Sequence, residues 1–186
     1  MATSYRTLAA MSDRHPNIVN ADQLDWLDCA EATRSAFPGD AGRGLQFGAR
    51  GKQLGAAAGC NRLGCSLYEL PPGKRGFPFH YHLANEEAIY ILDGTATLRL
   101  GDRTIAVRAG DYIALPAGPG HAHQLINSSA APLRYLCMST TLSPEVAVYP
   151  DSHKVAFSTA PGGPAGGPFE VQRLGTSLTY YDGEDG

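Results

Sequence analysis

Residues 77–100 read FPFHYHLANEEAIYILDGTATLRL, and the alternation within them decides the fold. In the second half, Thr95, Thr97 and Arg99 share one face while Ala96, Leu98 and Leu100 share the other. That two-residue period belongs to a half-buried strand. Asp93-Gly94 parts this run from the apolar run before it, and Asp-Gly so placed is the strongest short-range sign of a hairpin. In the first half, His80 and His82 stand at i and i+2, so on a strand both imidazoles point the same way.

The same rhythm continues outward. Short β-type runs fall at 63–70, 77–82, 87–92, 95–100, 104–108, 112–115, 121–126 and 133–139, with turn residues such as Pro71-Pro72-Gly73, Gly101-Asp102 and Gly110-Asp111 between them. Many short strands with such turns predict a sandwich, jelly roll or barrel. Strand-like alternation begins near residue 43, where Leu45 and Phe47 alternate with Gly44, Gln46 and Gly48. Before it, residues 21–37 predict one short helix, with Leu24, Leu27 and Ala30 at near-helical spacing, Asp22 as its cap and Pro38-Gly39 as its stop. One helix is no helix-turn-helix. The organisation expected is an N-terminal extension (1–42), a barrel (43–140) and a C-terminal arm (141–186). The arm carries a Gly/Pro-rich linker, PGGPAGGP, at 161–168, and then a segment apolar enough to dock as a last strand.

Composition narrows the function. A chain of 186 residues with 43% hydrophobic residues suits one domain with a proper core. The 22 Gly and 13 Pro, without a collagen-like repeat, fit the many turns of an all-β fold. A net charge of −3 offers no footprint for nucleic acid or an anionic membrane. The first residues, MATSYRTLAAMSDRHP, hold no apolar run fit for a signal peptide, and no later stretch suits a bilayer span, so a cytoplasmic protein is expected. Cys29, Cys60, Cys65 and Cys137 read as small buried hydrophobes rather than bridges or a zinc knuckle.

The chemistry sits in histidines and a carboxylate. If His80 and His82 face the barrel interior, the residues 83–86 can turn the chain so that Glu87 adds an oxygen. His121-Ala122-His123 repeats the pairing further on, and one of these histidines would complete a shell of three nitrogens and one oxygen. Imidazole and carboxylate together favour a divalent first-row transition ion. Such a shell leaves coordination positions open, which distinguishes a reactive site from a closed structural one.

At this point the chain resembles the cupin superfamily, in its small, single-domain, metal-binding bacterial form. The first cupin motif, Gly-x5-His-x-His-x3–4-Glu-x6-Gly, is matched by His80, His82, Glu87 and Gly94, and the count back from Gly94 selects Glu87 rather than Glu86. The opening glycine is displaced: Lys74 stands there, flanked by Gly73 and Gly76. The second motif, Gly-x5-Pro-x-Gly-x2-His-x3-Asn, is matched by Gly110, Pro116, Gly118 and His121, whereas His123 has the right spacing to Asn127. His123 is preferred as fourth ligand, with His121 the alternate, because the strand half of the motif sets depth in the barrel and the turn before it can absorb residues.

The resemblance implies an all-β double-stranded β-helix, or jelly-roll barrel, holding one divalent metal per chain (Fe, Mn, Ni or Zn). It implies an enzyme of dioxygenase, isomerase, lyase or cyclase type on a small oxygen-rich substrate; a binding or sensing module without turnover is the alternative. It also implies a homodimer, for which residues 44–49 and 146–157 could supply an interface. Arg75, beside Lys74 in the turn before the ligand strand, could meet an anionic substrate; Tyr90, Tyr112 and Gln124 could line or back the cavity. Glu86 could serve as an outer acceptor for a ligand histidine.

Overall fold

The computed structural model describes residues 15–159, 169–175 and 179–184; the linker expected at 161–168 and residues 1–14 of the leader lie outside them. Ahead of the barrel, Asn20 caps a single 3-10 turn (Ala21–Gln23), its side chain accepting from Asp22 N–H. β1 (Leu27–Asp28) leads into α1 (Cys29–Ala36), which Asp28 caps by accepting from Glu31 N–H. Asp22, expected as the cap, lies inside the 3-10 turn instead, because the helix starts only after β1. The stretch at 43–48, expected as strand, makes only an isolated bridge between Phe47 and Arg75.

The barrel then runs through β2 (Arg50–Gln53), the one-turn helix α2 (Leu54–Ala57), β3 (Leu63–Leu70), β4 (Tyr81–His82), β5 (Glu87–Asp93), β6 (Thr95–Leu100), β7 (Arg103–Arg108), β8 (Tyr112–Leu115), β9 (His123–Ile126) and β10 (Leu133–Thr140). After it come β11 (Glu145–Tyr149), β12 (Lys154–Ser158) and β13 (Phe169–Arg173). Six strands form one sheet in the order β1-β2-β3-β10-β5-β8. The others form a four-stranded sheet, β13-β12-β11-β4, and a three-stranded one, β7-β6-β9. All these strand pairs are antiparallel, and the result is the all-β jelly-roll barrel that the sequence predicts.

Alternation does the packing. Ile89 and Ile91 from β5, Ala96 and Leu98 from β6, Val107, Ile113, Leu115, Leu125, Leu133 and Tyr135 meet in one buried core drawn from both layers. The Asp93-Gly94 turn joins two layers rather than two paired strands: β5 pairs with β8 and β10, β6 with β7 and β9. The tight hairpin is one turn further on, at Gly101-Asp102, where Leu100 faces Arg103. Within residues 146–157, which the resemblance offers as part of a dimer interface, β11 pairs with β12 on one side and with β4 on the other. All four cysteines are free thiols; Cys60 is exposed, not the buried hydrophobe expected, while Cys29, Cys65 and Cys137 are half-buried. Among the described residues, no helix is long and apolar enough to cross a membrane.

Candidate metal centre

Three segments bring the candidate ligands together. His80 and His123 exchange backbone hydrogen bonds, His80 N–H to His123 O at 3.2 Å and His123 N–H to His80 O at 2.8 Å, so the two residues lie directly opposite each other and share a face. Their ring centroids are 4.6 Å apart. His82, two residues along, pairs with Ala147 of β11 and sets its ring 5.0 Å from that of His80. Glu87 opens β5, between Leu115 of β8 and Ser139 of β10. Its Oε2 lies 3.1 Å from His123 Nε2 and 3.4 Å from His82 Nε2.

Donor atoms of His80, Glu87 and His123 all lie within 4.8 Å of one another, and these are the three residues that the fold draws tightest. His82 stands just outside this group, its Nε2 still 3.4 Å from Glu87 Oε2. His121 does not join it: it closes a 3-10 turn (Pro119–His121) and contributes its backbone carbonyl instead. Gly118 starts that turn at φ +110, a conformation that favours glycine, and its N–H is tied to His82 O at 2.7 Å.

The hydrogen bonds fix how the rings present themselves. His80 Nδ1 lies 2.7 Å from the Pro78 carbonyl oxygen and His123 Nδ1 lies 3.0 Å from that of His121. A carbonyl only accepts, so each Nδ1 carries the proton. Burial, reinforced by the neighbouring His123, pulls His80 down to about 3 and keeps it neutral. A neutral ring with Nδ1 protonated presents a bare Nε2. With Nδ1 bonded to a carbonyl, His123 meets Glu87 through Nε2 at 3.1 Å, a contact that either a proton or a cation satisfies, and a cation there would also take up the bare Nε2 of His80. The donor set therefore fits a divalent metal.

Glu87 supports the same reading. Burial acts to raise its pKa, but His123 and His82 outweigh it and hold the carboxyl well below its usual range. Behind it, the Cys137 thiol, pushed well up by burial, directs its S–H to Glu87 Oε1 at 3.9 Å. Both ring nitrogens of His82 are buried without a hydrogen-bond partner, although a carboxylate stands on each side: Glu87 at 3.4 Å and Glu145 at 3.8 Å. Burial acts to lower this histidine, and ionic attraction to Glu145 and Glu87 overrides it, raising it to about 10.

The remaining expectations fare unevenly. Gln124 backs the site from outside: it is buried, and its Nε2 donates to Phe77 O at 2.7 Å. Tyr90 and Tyr112 are cross-strand partners on the outer face of the six-stranded sheet, 38% and 64% exposed, and turn away from the centre that they were expected to line. They alternate with Ile89 and Ile113, which take the inward positions. Arg75 is exposed near Asp151, which is itself paired with Arg99, and Lys74 Nζ donates to Leu45 O at 2.7 Å. Glu86 is exposed. Two residues of β11 that were not expected at the site do reach the centre. Glu145 flanks His82, and the Tyr149 ring stacks on His80 with centroids 5.8 Å apart. Alternation along 145–149 places Glu145, Ala147 and Tyr149 on one face, a pattern visible in the sequence; which strand that face meets is a long-range fact.

Comparison with known proteins agrees with this geometry. Residues 66–139 match the family model described as "Cupin domain". An uncharacterized protein of Methanocaldococcus jannaschii is 37% identical over 70 residues, 38% of this chain and 54% of that protein, so the chain spans about half the length of the curated relative it matches. Among solved structures, a sugar phosphate isomerase from a cupin superfamily of Silicibacter pomeroyi superposes with a TM-score of 0.69 at 25% identity, covering 88% of this chain and 97% of that one. A candidate sugar phosphate isomerase from Acidithiobacillus ferrooxidans gives 0.63 at 27% identity, over 69% and 78%.

Proposed function

This chain carries a cupin domain, and from that premise we propose that it is a metal-dependent isomerase-type enzyme acting on a small, oxygen-rich substrate such as a phosphorylated sugar. One observation carries the metal half of the reading. His80 and His123 each give Nδ1–H to a backbone carbonyl, and ligand atoms of both lie within 4.8 Å of the Glu87 carboxylate. The isomerase half draws on the likeness to the Silicibacter pomeroyi protein, which extends over 88% of this chain.

The residues that would hold the ion are His80, Glu87 and His123, with His82 as a fourth donor; Fe, Mn, Ni and Zn all suit such a set. Bound there, a divalent ion supplies Lewis acidity to a chelated hydroxy-carbonyl unit and eases loss of the neighbouring proton. The chain supplies the setting. Tyr149, held up to about 12 by burial and by the charge of Glu87, keeps its proton on Oη at neutral pH and can donate it to a substrate oxygen. Tyr68 stacks on Tyr135 at 5.4 Å and meets Phe77 edge-on, packing aromatic rings inside the barrel.

A second reading, a small-molecule binding module without turnover, draws on the state of the two carboxylates at the centre. Glu87 and Glu145 are both engaged with neighbours, so neither is a ready general base. Elemental analysis of protein purified without chelator or affinity metal should find one ion per chain, lost in His80→Ala and His123→Ala. Incubated in D₂O with aldose and ketose phosphates, the loaded protein should exchange a carbon-bound hydrogen of the true substrate. Binding without exchange selects the second reading; O₂ uptake selects a dioxygenase. Absence of metal with unaltered stability in both variants sinks the metal assignment. A homodimer remains part of the proposal, and light scattering decides it.

A further inference from the structure

We propose that Glu145 is the positioning carboxylate of His82, so that the C-terminal strand β11 belongs to the metal centre. The inference rests on the metal reading above and adds a residue outside the matched domain. It starts from an anomaly. His82 is the one histidine of the centre whose two buried ring nitrogens both lack a hydrogen-bond partner, among the described residues. A buried polar atom left so costs roughly 1–3 kcal/mol. His80 and His123 avoid that cost by bonding backbone carbonyls. For His82, Nδ1 instead has a carboxylate oxygen, Glu145 Oε1, at 3.8 Å. Were an ion to replace the proton on Nε2, the proton left on Nδ1 would be directed there and Nε2 would serve as the donor.

Glu145 cannot simply swing away. Its Oε1 accepts from Val146 N–H at 2.7 Å and from Leu83 and Ala84 N–H at 3.3 Å each. Its Oε2 accepts from Asn85 N–H at 2.8 Å and from the Asn85 side-chain amide. Asn85 in turn is bound by Thr140 and Leu142. The carboxylate is thus fixed beside the ring by the very turn, 83–85, that follows the ligand strand. Carboxylate partners of this kind orient a metal-bound imidazole and strengthen it as a donor, and their loss typically costs 10–100-fold in metal affinity.

A purely structural role, clamping the turn, is the competing account, and a double-mutant cycle separates the two. Full-length wild type, Glu145→Gln, His82→Gln and the double variant are titrated with Co(II) against a competing chelator, and each metal-free protein is melted. Gln keeps an acceptor for the turn N–H groups. Glu145→Gln should weaken Co(II) binding by about 10–100-fold, shrinking to under about threefold in the His82→Gln background. An equal loss in both backgrounds, or no loss, overturns the proposal. Failure of wild type to bind Co(II) defeats the metal reading itself. The ¹⁵N-histidine spectrum of metal-free wild type then decides this one, as it also does should Glu145→Gln not fold. Recorded at a pH where His82 holds a single proton, that proton on Nδ1 supports it, and a bare Nδ1 overturns it.

Discussion

At the scale of single residues, Asn127 shows why a motif position that touches no ligand matters. It is fully buried; its Nδ2 donates to Leu70 O and Ala131 O at 2.8 Å each, and its Oδ1 accepts from the Ser129 N–H and hydroxyl. Backbone bonds tie it to the turn before the ligand strand: Gly73 N–H donates to Asn127 O and Asn127 N–H to Lys74 O. Asn127 therefore pins the end of β9 against that turn and so sets where His123 sits. The spacing from His123 to Asn127 was legible in the sequence, and this network is its physical content. Asn127→Ala strips partners from two carbonyls and a backbone N–H, and should destabilise the fold by roughly 2–4 kcal/mol. Urea unfolding measures the loss. Metal stoichiometry should stay at that of wild type, since no bond to the centre is removed directly. The same burial occupies the nitrogen that the sequon Asn127-Ser128-Ser129 would offer for glycosylation.

At the scale of elements, local pattern was informative wherever a strand has one buried face. β3, β6 and β8 fall where alternation and flanking turns place them, and β5, β7 and β10 differ by a residue at an end. The failures are equally physical. Residues 77–82 alternate well, yet only Tyr81–His82 pairs as strand, against Val148 and Ala147 of β11, while His80 turns to an isolated bridge with His123. A turn signal cannot tell a hairpin from a crossing between layers, and Asp93-Gly94 is the crossing. There Gly94 has φ +90, and a Cβ on it would stand 2.9 Å from Pro132 O and 3.3 Å from Leu133 Cα. Both contacts are backbone, so the chain itself would have to shift. Gly94→Ala should therefore cost about 1–3 kcal/mol, from the strained backbone alone or more with the clash. A lowered urea midpoint with an unchanged slope is the expected result; a variant as stable as wild type would show that the crossing can shift to accommodate the methyl.

At the scale of the whole molecule, the candidate site crosses the boundary that the sequence suggests near residue 140. Composition changes there, but hydrogen bonding does not stop: β11 is the strand partner of β4, Leu83 N–H donates to Val146 O at 2.9 Å, and Tyr149 covers His80. Ala147, Val155 and Ala156 are buried in the process. Little in residues 141–159 announces this, since one amphipathic strand resembles another until its partner is known. Two truncations turn the point into a measurement. A chain ending at 159 loses β13, an edge strand whose side chains are largely exposed and which, among the described residues, pairs only with β12. It should still unfold cooperatively and hold metal within about threefold of the full chain, by the twofold-to-threefold scatter usual for such contributions. A chain ending at 142 loses β11 as well, and with it the cover on His80, the carboxylate beside His82 and the only strand paired to β4 among the described residues. Its ligands His80, Glu87 and His123 all remain, so on a self-contained 43–140 barrel it should bind as before. The structure instead leads us to expect metal affinity at least tenfold weaker and rapid hydrogen exchange at Tyr81–Leu83, because a two-residue strand freed on one side has too few bonds to stay ordered.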